Sequence, residues 1–265
     1  MKWTDEAEAA VRNVPFFVRK KVRARVEKEA ADENKQTITL AEVKATRKRF
    51  VSNMDSEIKG YQVETCFGQN GCANRCVSGD SLVGQIEQVL KQQDLLGFLR
   101  QHVKGDLKFH HEMRVSVAEC PNACSQPQIK DIAIIAAVYP RVGENTCSLC
   151  IACVSECKEK AICLEEGFEK PAIDLGICVG CGACVRICPT KTLQGGLSGY
   201  RVQLGGRLGR HPRLARELCG LYSEQRVIEL VKACVEFYKK NSRHGQRFSH
   251  LLDDKAFHDL QAMFP

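Results

Sequence analysis

Hydrophobic and polar positions alternate with a helical period through the first fifty-odd residues. Thr4 is placed to cap a first short helix, with Asp5 and Glu6 suited to its positive end. Pro15 fits the first turn of a second helix, Phe16 to about Ala31, on which apolar and basic positions such as Phe17 and Lys21 alternate. Ile38-Thr39-x-x-Glu42-Val43 joins a capping box to a hydrophobic staple and starts a third helix running to about Met54. From Tyr61 the pattern changes. A helix is expected over about Ser81 to Val103, with Leu82, Ile86, Val89, Leu90 and Leu96 on its apolar stripe. Arg114 to Ala118 reads as a strand. Ile129 to Val138 is nearly all apolar, which predicts a strand buried on both faces. Tyr200 to Leu204 reads as a short strand and Gly205 to Pro212 as a glycine-rich turn studded with cations. Ser223 and Glu224 open what reads as a last helix, with Val227, Leu230, Val231, Cys234 and Tyr238 on one face.

Cysteines interrupt this pattern in two tandem runs. Cys147, Cys150, Cys153 and Cys157 are spaced Cys-x2-Cys-x2-Cys-x3-Cys, and Cys178, Cys181, Cys184 and Cys188 repeat the spacing. This is the ligand cadence of a two-cluster bacterial ferredoxin. Three thiolates two residues apart wrap one corner of a cubane, and Gly180, Gly182 and Ala183 let the backbone come close. The fourth thiolate of each run reaches to the other cluster. Cys147, Cys150, Cys153 and Cys188 are therefore expected around one [4Fe-4S] cluster, and Cys178, Cys181, Cys184 and Cys157 around the other. Zinc prefers four ligands in paired spacings, and eight ligands in this cadence argue against it. Lys158 stands where proline would follow Cys157, which alters a turn but removes no ligand.

Composition narrows the setting. At 265 residues the chain suits one large or two to three small domains. Its sixteen cysteines have metal-thiolate spacings, not those of a secreted disulfide framework. Met1 to Glu6 holds no apolar signal region, and the longest apolar run, Ile132 to Tyr139, is eight residues and too short to span a bilayer. A reducing cytoplasm and no membrane partner are expected. The formal charge of +7 invites a nucleic-acid reading. Oxidised clusters at about −2 each would offset much of that charge, so no nucleic-acid partner is expected. The basic run Arg19, Lys20, Lys21, Arg23, Arg25 reads first as a solvated face, with partner or anionic-cofactor binding as the other option.

Two resemblances refine these expectations. Trp3-Thr4-x-x-Ala7-x-x-x-x-Val11, Val14-Pro15-Phe16-Phe17-Val18-Arg19-Lys20-Lys21-Val22 and the Ile38-Thr39 helix start resemble the small C-terminal domain of light-independent protochlorophyllide reductase. In that family the domain lies near a bound tetrapyrrole. Cys66-x5-Cys72, joined to Cys120-Pro-Asn-x-Cys124-Ser-Gln-Pro-Gln-Ile-x-Asp-Ile, resembles the sirohaem-containing sulfite and nitrite reductases, over roughly residues 61 to 245. The likeness is to the dissimilatory type, which carries a ferredoxin domain inserted in this half. It implies that Cys66, Cys72, Cys120 and Cys124 hold a third [4Fe-4S] cluster and that Cys124 bridges to sirohaem, with Asn122 beside it. Cys76 offers a substitute spacing, Cys72-x3-Cys76, but reads first as a core cysteine. Arg201, Arg207, Arg210 and Arg213 are candidates to hold sirohaem carboxylates or an oxyanion, or are simply surface charge. Cys163, Cys219 and Cys234 sit among apolar neighbours and read as small core residues. No role is given to His110 and His111, and no catalytic residue is assigned.

The expected fold is α+β. A helical module at 1–56 precedes a sulfite/nitrite reductase-like αβ domain at 61–140 plus 197–265, into which a two-cluster ferredoxin domain is inserted at 141–196. A complete sirohaem reductase is built from two pseudo-repeats, and only the cluster-bearing half is recognisable here. A homodimer or a second subunit is therefore expected to complete the pocket, with a low-potential donor such as a ferredoxin supplying electrons. Three functions remain open at this point. One is a sulfite or nitrite reductase-like enzyme. The others are a multi-cluster electron carrier without haem and a reductase acting on a tetrapyrrole or another substrate.

Overall fold

The computed structural model describes residues 1–14, 16–33 and 35–265, without the side chains of 16–18, 50–56 and 69. The expectation for Pro15, and that for the side chain of Phe17, lie outside the described residues. The chain divides into two compact units, Met1–Ile58 with Gly105–His110, and Lys59–Lys104 with His111–Pro265.

The first unit holds β1 (Lys2–Trp3), α1 (Asp5–Arg12), α2 (Phe16–Asp32), β2 (Thr37–Ile38) and α3 (Leu40–Glu57). Thr4 caps α1 by accepting from the Ala7 N–H. At α3 the Thr39 hydroxyl accepts from Ala41 while Glu42 reaches back to the Thr39 N–H at 2.8 Å. The Thr39 hydroxyl and Lys35 hold the Glu42 carboxyl down to about 2. Ala7, Val26, Ala30 and Ile38 form the core, with Trp3, Val22 and Val43 packed against it. Much of the basic run is engaged within this unit. Arg19 donates to the carbonyls of Arg12 and Val14, Arg23 pairs with Glu8 and lies over Trp3, and Arg25 pairs with Glu29. Lys20 and Lys21 are exposed.

The second unit is organised by a five-stranded mixed sheet. Its strands are β3 (Tyr61–Thr65), β4 (Met113–Ala118), β5 (Ile132–Val142), and, after the cysteine repeats, β8 (Leu193–Leu204) and β9 (Arg216–Glu217), in that spatial order. β3, β4 and β5 run parallel, and β5–β8 and β8–β9 are antiparallel. Two parallel neighbours need a crossover. Between β3 and β4 it is supplied by α4 (Asp80–Gln92) and α5 (Leu95–His102). The single helix expected over 81–103 is thus broken, because Asp94 takes the left-handed conformation and caps α5 through the Gly97 N–H. Leu82, Ile86 and Leu90 are buried as expected, and Leu95, Phe98 and Leu99 continue the stripe on α5, with Leu96 only half-buried.

β5 and β8 form a long hairpin from whose tip the cysteine-rich insert hangs. The insert comprises α6 (Ala152–Glu156), β6 (Ile162–Cys163), β7 (Ala172–Ile173) and α7 (Ala183–Ile187). β5 starts at Ile132, after a 3₁₀ turn over Pro127–Ile129, and runs on to Val142, later at both ends than its apolar run suggested. Residues 132–137 are all buried, as a strand covered on both faces requires. β8 is twelve residues, not five. Its first half is glycine-rich and reads as loop, yet the chain must return from the insert alongside β5, where Leu193 pairs with Val142 and Gly195 with Pro140. α8 (Glu224–Asn241), capped by Ser223, buries the expected stripe, and two short helices follow it, α9 (Phe248–Leu251) and α10 (Asp254–Ala262).

Candidate iron–sulfur centres

The loops after β3 and β4 lie side by side at the carboxyl ends of adjacent parallel strands, the edge at which open α/β sheets present ligand sites. The Cys66 N–H donates to the Val117 carbonyl, so the first loop starts in register with the end of β4. Cys66 then caps a 3₁₀ turn over Phe67–Asn70, its Sγ accepting from Gly68 at 3.4 Å and from Glu119 at 3.3 Å. In the second loop Ala123 adopts a positive φ of 53°, and Asn122 Nδ2 donates to Cys124 Sγ at 2.9 Å. Ser125 fastens this loop to the Ser116 hydroxyl and the Val117 carbonyl. Burial pushes the Cys120 thiol up, and Cys66, Cys124 and Cys72 stand close enough to raise it further. These loops therefore bring together the four thiols assigned from sequence. Cys120 is buried, whereas Cys72 and Cys124 are exposed.

Beneath this set lies a buried acid with no signal in the sequence. Glu119 accepts from the Gly79 N–H at 2.7 Å and sits 2.9 Å from Arg75 Nε. The pair ties the segment after Cys72 to the residue before Cys120.

The insert assembles two further sets around its own small core of Cys153, Ile162, Cys184 and Leu193. Cys147, Cys150, Cys153 and Cys188 line one open hollow, with Ile151, Pro171 and Leu193 among the other walls. Cys157, Cys178, Cys181 and Cys184 line a second, with Pro140 and Ile162. In each, the fourth cysteine comes from the other run. Backbone N–H groups point at the sulfurs, Leu149 at Cys147, Ala161 at Cys157 and Leu193 at Cys188. Burial pushes Cys184 up to about 11, and it moves Cys153 and Cys178 the same way. The Ala152 N–H and Ser148 bring exposed Cys150 down. Burial works against a low value at Cys188, but the Leu193 N–H and the Thr190 hydroxyl outweigh it.

Among the described residues no three His, Cys, Asp or Glu side chains converge tightly enough for a single metal ion. Zinc would draw four sulfurs to about 2.3 Å of one point. A cubane keeps its four thiolates wider apart, and only a cationic core offsets the mutual repulsion of thiolates crowded in these cavities. The donor sets fit [4Fe-4S] clusters.

The substitute ligand, Cys76, lies against two backbone carbonyls. Its Sγ lies against the carbonyls of Glu119 and Ala136 at 3.2 and 3.5 Å, and burial pushes its thiol up to about 12. Of the other cysteines, Cys234 is wholly buried as expected, but Cys163 and Cys219 are exposed. Their apolar neighbours alternate away from them, Ile162 and Leu218 being the buried members. Of the four candidate cations, Arg207 and Arg213 come together on the Ser249 carbonyl. Arg201 forms a two-pronged pair with Glu217. Arg207 donates to the carbonyls of His211 and Ser249, and Arg213 to those of Gly205 and Ser249. Arg210 is exposed on the glycine-rich turn. His110 and His111 lie in a 3₁₀ turn before β4.

Residues 59–262 match the family model of the nitrite and sulphite reductase 4Fe-4S domain. The chain belongs to that family. Residues 3–47 match a second model, the proto-chlorophyllide reductase 57 kD subunit. A coenzyme F420-dependent sulfite reductase of Methanocaldococcus jannaschii is 28% identical over 182 residues, 69% of this chain and 27% of that protein. A light-independent protochlorophyllide reductase subunit of Chlorobium limicola is 54% identical over 39 residues, 15% of this chain and 7% of the relative. The crystal structure of dissimilatory sulfite reductase I superposes with a TM-score of 0.53 at 16% identity, over 76% of this chain and 51% of that one. This member of the reductase domain family thus shares the α+β sulfite reductase fold. It spans about a quarter of the length of the F420-dependent relative and about half of the dissimilatory reductase chain. Within the domain, sequence reasoning missed the Glu119–Arg75 pair and the direction in which Cys76 points. No spacing rule encodes either, because both depend on which strands become neighbours.

Proposed function

We propose that this chain is an oxidoreductase that takes electrons one at a time at the two cysteine sets of the insert and delivers them, through the Cys66/Cys72/Cys120/Cys124 set, to sulfite or nitrite. One observation carries the reading. The third set lies at the carboxyl edge of β3 and β4, and its Cys124 is exposed and oriented by Asn122. An exposed ligand sulfur can be shared with a second iron, which a buried one cannot. Bound there, a [4Fe-4S] cluster joined to sirohaem would supply multi-electron storage next to the oxyanion. The chain's own contribution is to hold Cys124 in one orientation and to keep Cys120 away from water. Leu149 and Ile151, exposed beside Cys150, offer the surface at which a low-potential donor such as a ferredoxin would dock.

A second reading, an electron carrier without haem, is favoured by the cations. Arg201, Arg207 and Arg213 are already satisfied by Glu217 or by backbone carbonyls. If sirohaem is bound, its carboxylates need Arg210 and groups from a second copy or another subunit. The deciding experiment is anaerobic purification from a sirohaem-producing host, alone and with any co-purifying subunit. The reductase reading expects a macrocycle absorption band and oxidation of a reduced donor that depends on sulfite or nitrite. It also expects Cys124→Ser to abolish both. Full cluster content with no macrocycle under either condition would leave the carrier.

A further inference from the structure

Cys76 lies where the loop carrying Cys181 comes against the segment before Cys120. On one side, the Cys76 N–H donates to the Glu119 carbonyl at 2.9 Å and its Sγ lies 3.2 Å from the same oxygen. Glu119 is the residue bonded to Cys120. On the other side, Sγ lies 3.5 Å from the Ala136 carbonyl on β5. Two residues further along that strand, the Val138 N–H donates to the Gly180 carbonyl at 2.7 Å and Val138 pairs with Cys181. The position of a Cβ on Gly182 would be 3.8 Å from Cys76 Cβ, so the loop carrying Cys181 rests directly on Cys76. Cys120 and Cys181 both lie within electrostatic reach of the Cys76 sulfur. The equivalent loop at Cys147–Cys153 is open to solvent. Its Leu149 and Ile151 are more than half exposed.

We propose that Cys76 is a positioning residue that sets the electron junction between the Cys157/Cys178/Cys181/Cys184 set and the Cys66/Cys72/Cys120/Cys124 set. The proposal rests on the three-cluster part of the functional reading, not on the identity of the oxyanion. A thiol has one hydrogen, and here it lies between two carbonyls of the sheet domain, those of Glu119 and Ala136, with Gly182 of the insert beside them. Sulfur is also large and polarisable enough to fill the gap without pushing the loops apart. In the step it serves, one electron leaves the reduced cluster of the second insert set, which is oxidised by one. The same electron enters the third cluster, which is reduced by one. Cys76 keeps its proton and is neither oxidised nor reduced. A one-electron, low-potential reductant replaces the electron at the exposed first set. Cys76 therefore makes the second insert set the outlet and leaves the first as the inlet.

The test uses the full holoprotein and no oxyanion. After mixing with limiting dithionite, freeze-quenched electron paramagnetic resonance follows the order and rate at which the clusters become reduced. Cys76→Ala should slow reduction of the third cluster several-fold, with iron, sulfide and the signal of each cluster unchanged. Cys76→Ser, which can still donate to either carbonyl, should recover most of the rate. In fully reduced wild-type protein, spin–spin broadening of the third cluster should vanish in Cys181→Ala and persist in Cys150→Ala. That comparison holds even if Cys76→Ala does not fold. Wild-type rates in Cys76→Ala, or broadening that depends on Cys150 instead of Cys181, would overturn the proposal. So would loss of the third cluster from Cys76→Ser, which would make Cys76 a ligand, or iron-replete wild-type protein with no third cluster. Failure of sulfite or nitrite turnover would touch only the functional reading.

Discussion

Cys147–Cys153 and Cys178–Cys184 are one seven-residue loop built twice, with different surroundings. Both require two left-handed residues between their cysteines. The first loop uses Leu149 and Ile151, at φ of 56° and 53°, and the second uses Gly180 and Gly182, at 70° and 65°. A side chain in that conformation costs about 1–2 kcal/mol per residue. Glycine at 180 is needed for a further reason, since a Cβ there would sit 3.0 Å from Ala137 Cβ and 3.3 Å from the Tyr139 ring. Leu149 and Ile151 of the first loop point to solvent, so that loop tolerates strained, exposed apolar side chains. Where the loop packs on β5, it is stripped to backbone. Where the loop faces outward, apolar surface is kept despite the strain.

The largest effect expected comes from removing one thiolate from each loop. Cys150→Ala and Cys181→Ala should each cost one cluster, about four iron and four sulfide per chain, while the Cys66/Cys72/Cys120/Cys124 cluster stays assembled. Their stabilities should differ. Cys181 pairs with β5 through the Val138 bridge, so disorder of its loop reaches the sheet, whereas Cys150 lies at the surface. Cys181→Ala should therefore lower the anaerobic melting temperature more. Loss of every cluster signal in a folded Cys181→Ala chain would show that the modules do not assemble separately.

Exchanging the left-handed residues sharpens the comparison at smaller cost. Gly180→Ala should destabilise by about 2 kcal/mol, from left-handed strain and from the displaced Ala137 and Tyr139 contacts. Leu149→Gly should be neutral or stabilising by up to about 1 kcal/mol, because relief of strain competes with the greater freedom of glycine in the unfolded chain. Denaturant titration under anaerobic conditions reads both. Equal costs would mean that the two loops are packed alike.

The cysteine cadence alone made this pair of loops legible, because a cubane dictates ligand spacing more strictly than a fold dictates its residues. The crossing of Cys157 and Cys188 between sets followed from the same cadence. The apolar run at Ile132–Ala137 announced a strand covered on both faces. What stayed hidden depends on contacts distant in sequence. The first half of β8 reads as loop until its partner β5 is known, and Asp94 looks like one more polar residue on a continuous helix until it adopts a positive φ. Cys163 and Cys219 were read as core from apolar neighbours, although alternation along the chain turns them outward. The arginines at 201, 207 and 213 looked available because acceptors such as the Glu217 carboxylate and the Ser249 carbonyl come from other segments.

The smallest effect is kinetic and concerns the thiols themselves once iron is removed. In the chelator-stripped chain, the Ala152 N–H and Ser148 stabilise the Cys150 thiolate, so its value lies below that of an ordinary thiol. Burial, with Cys181 and Cys178 adding their charge, takes Cys184 the other way, to about 11. The thiolate is the form that alkylates, and a lowered value means that it is populated at lower pH. Iodoacetamide near pH 8 should thus label Cys150 well before Cys184, and raising the pH toward 11 should narrow the gap as Cys184 ionises. Peptide mass spectrometry at short times measures the two rates. A stripped chain whose loops had unfolded would label both at one rate at every pH, so a persistent gap also reports that the two loops keep their different surroundings without iron.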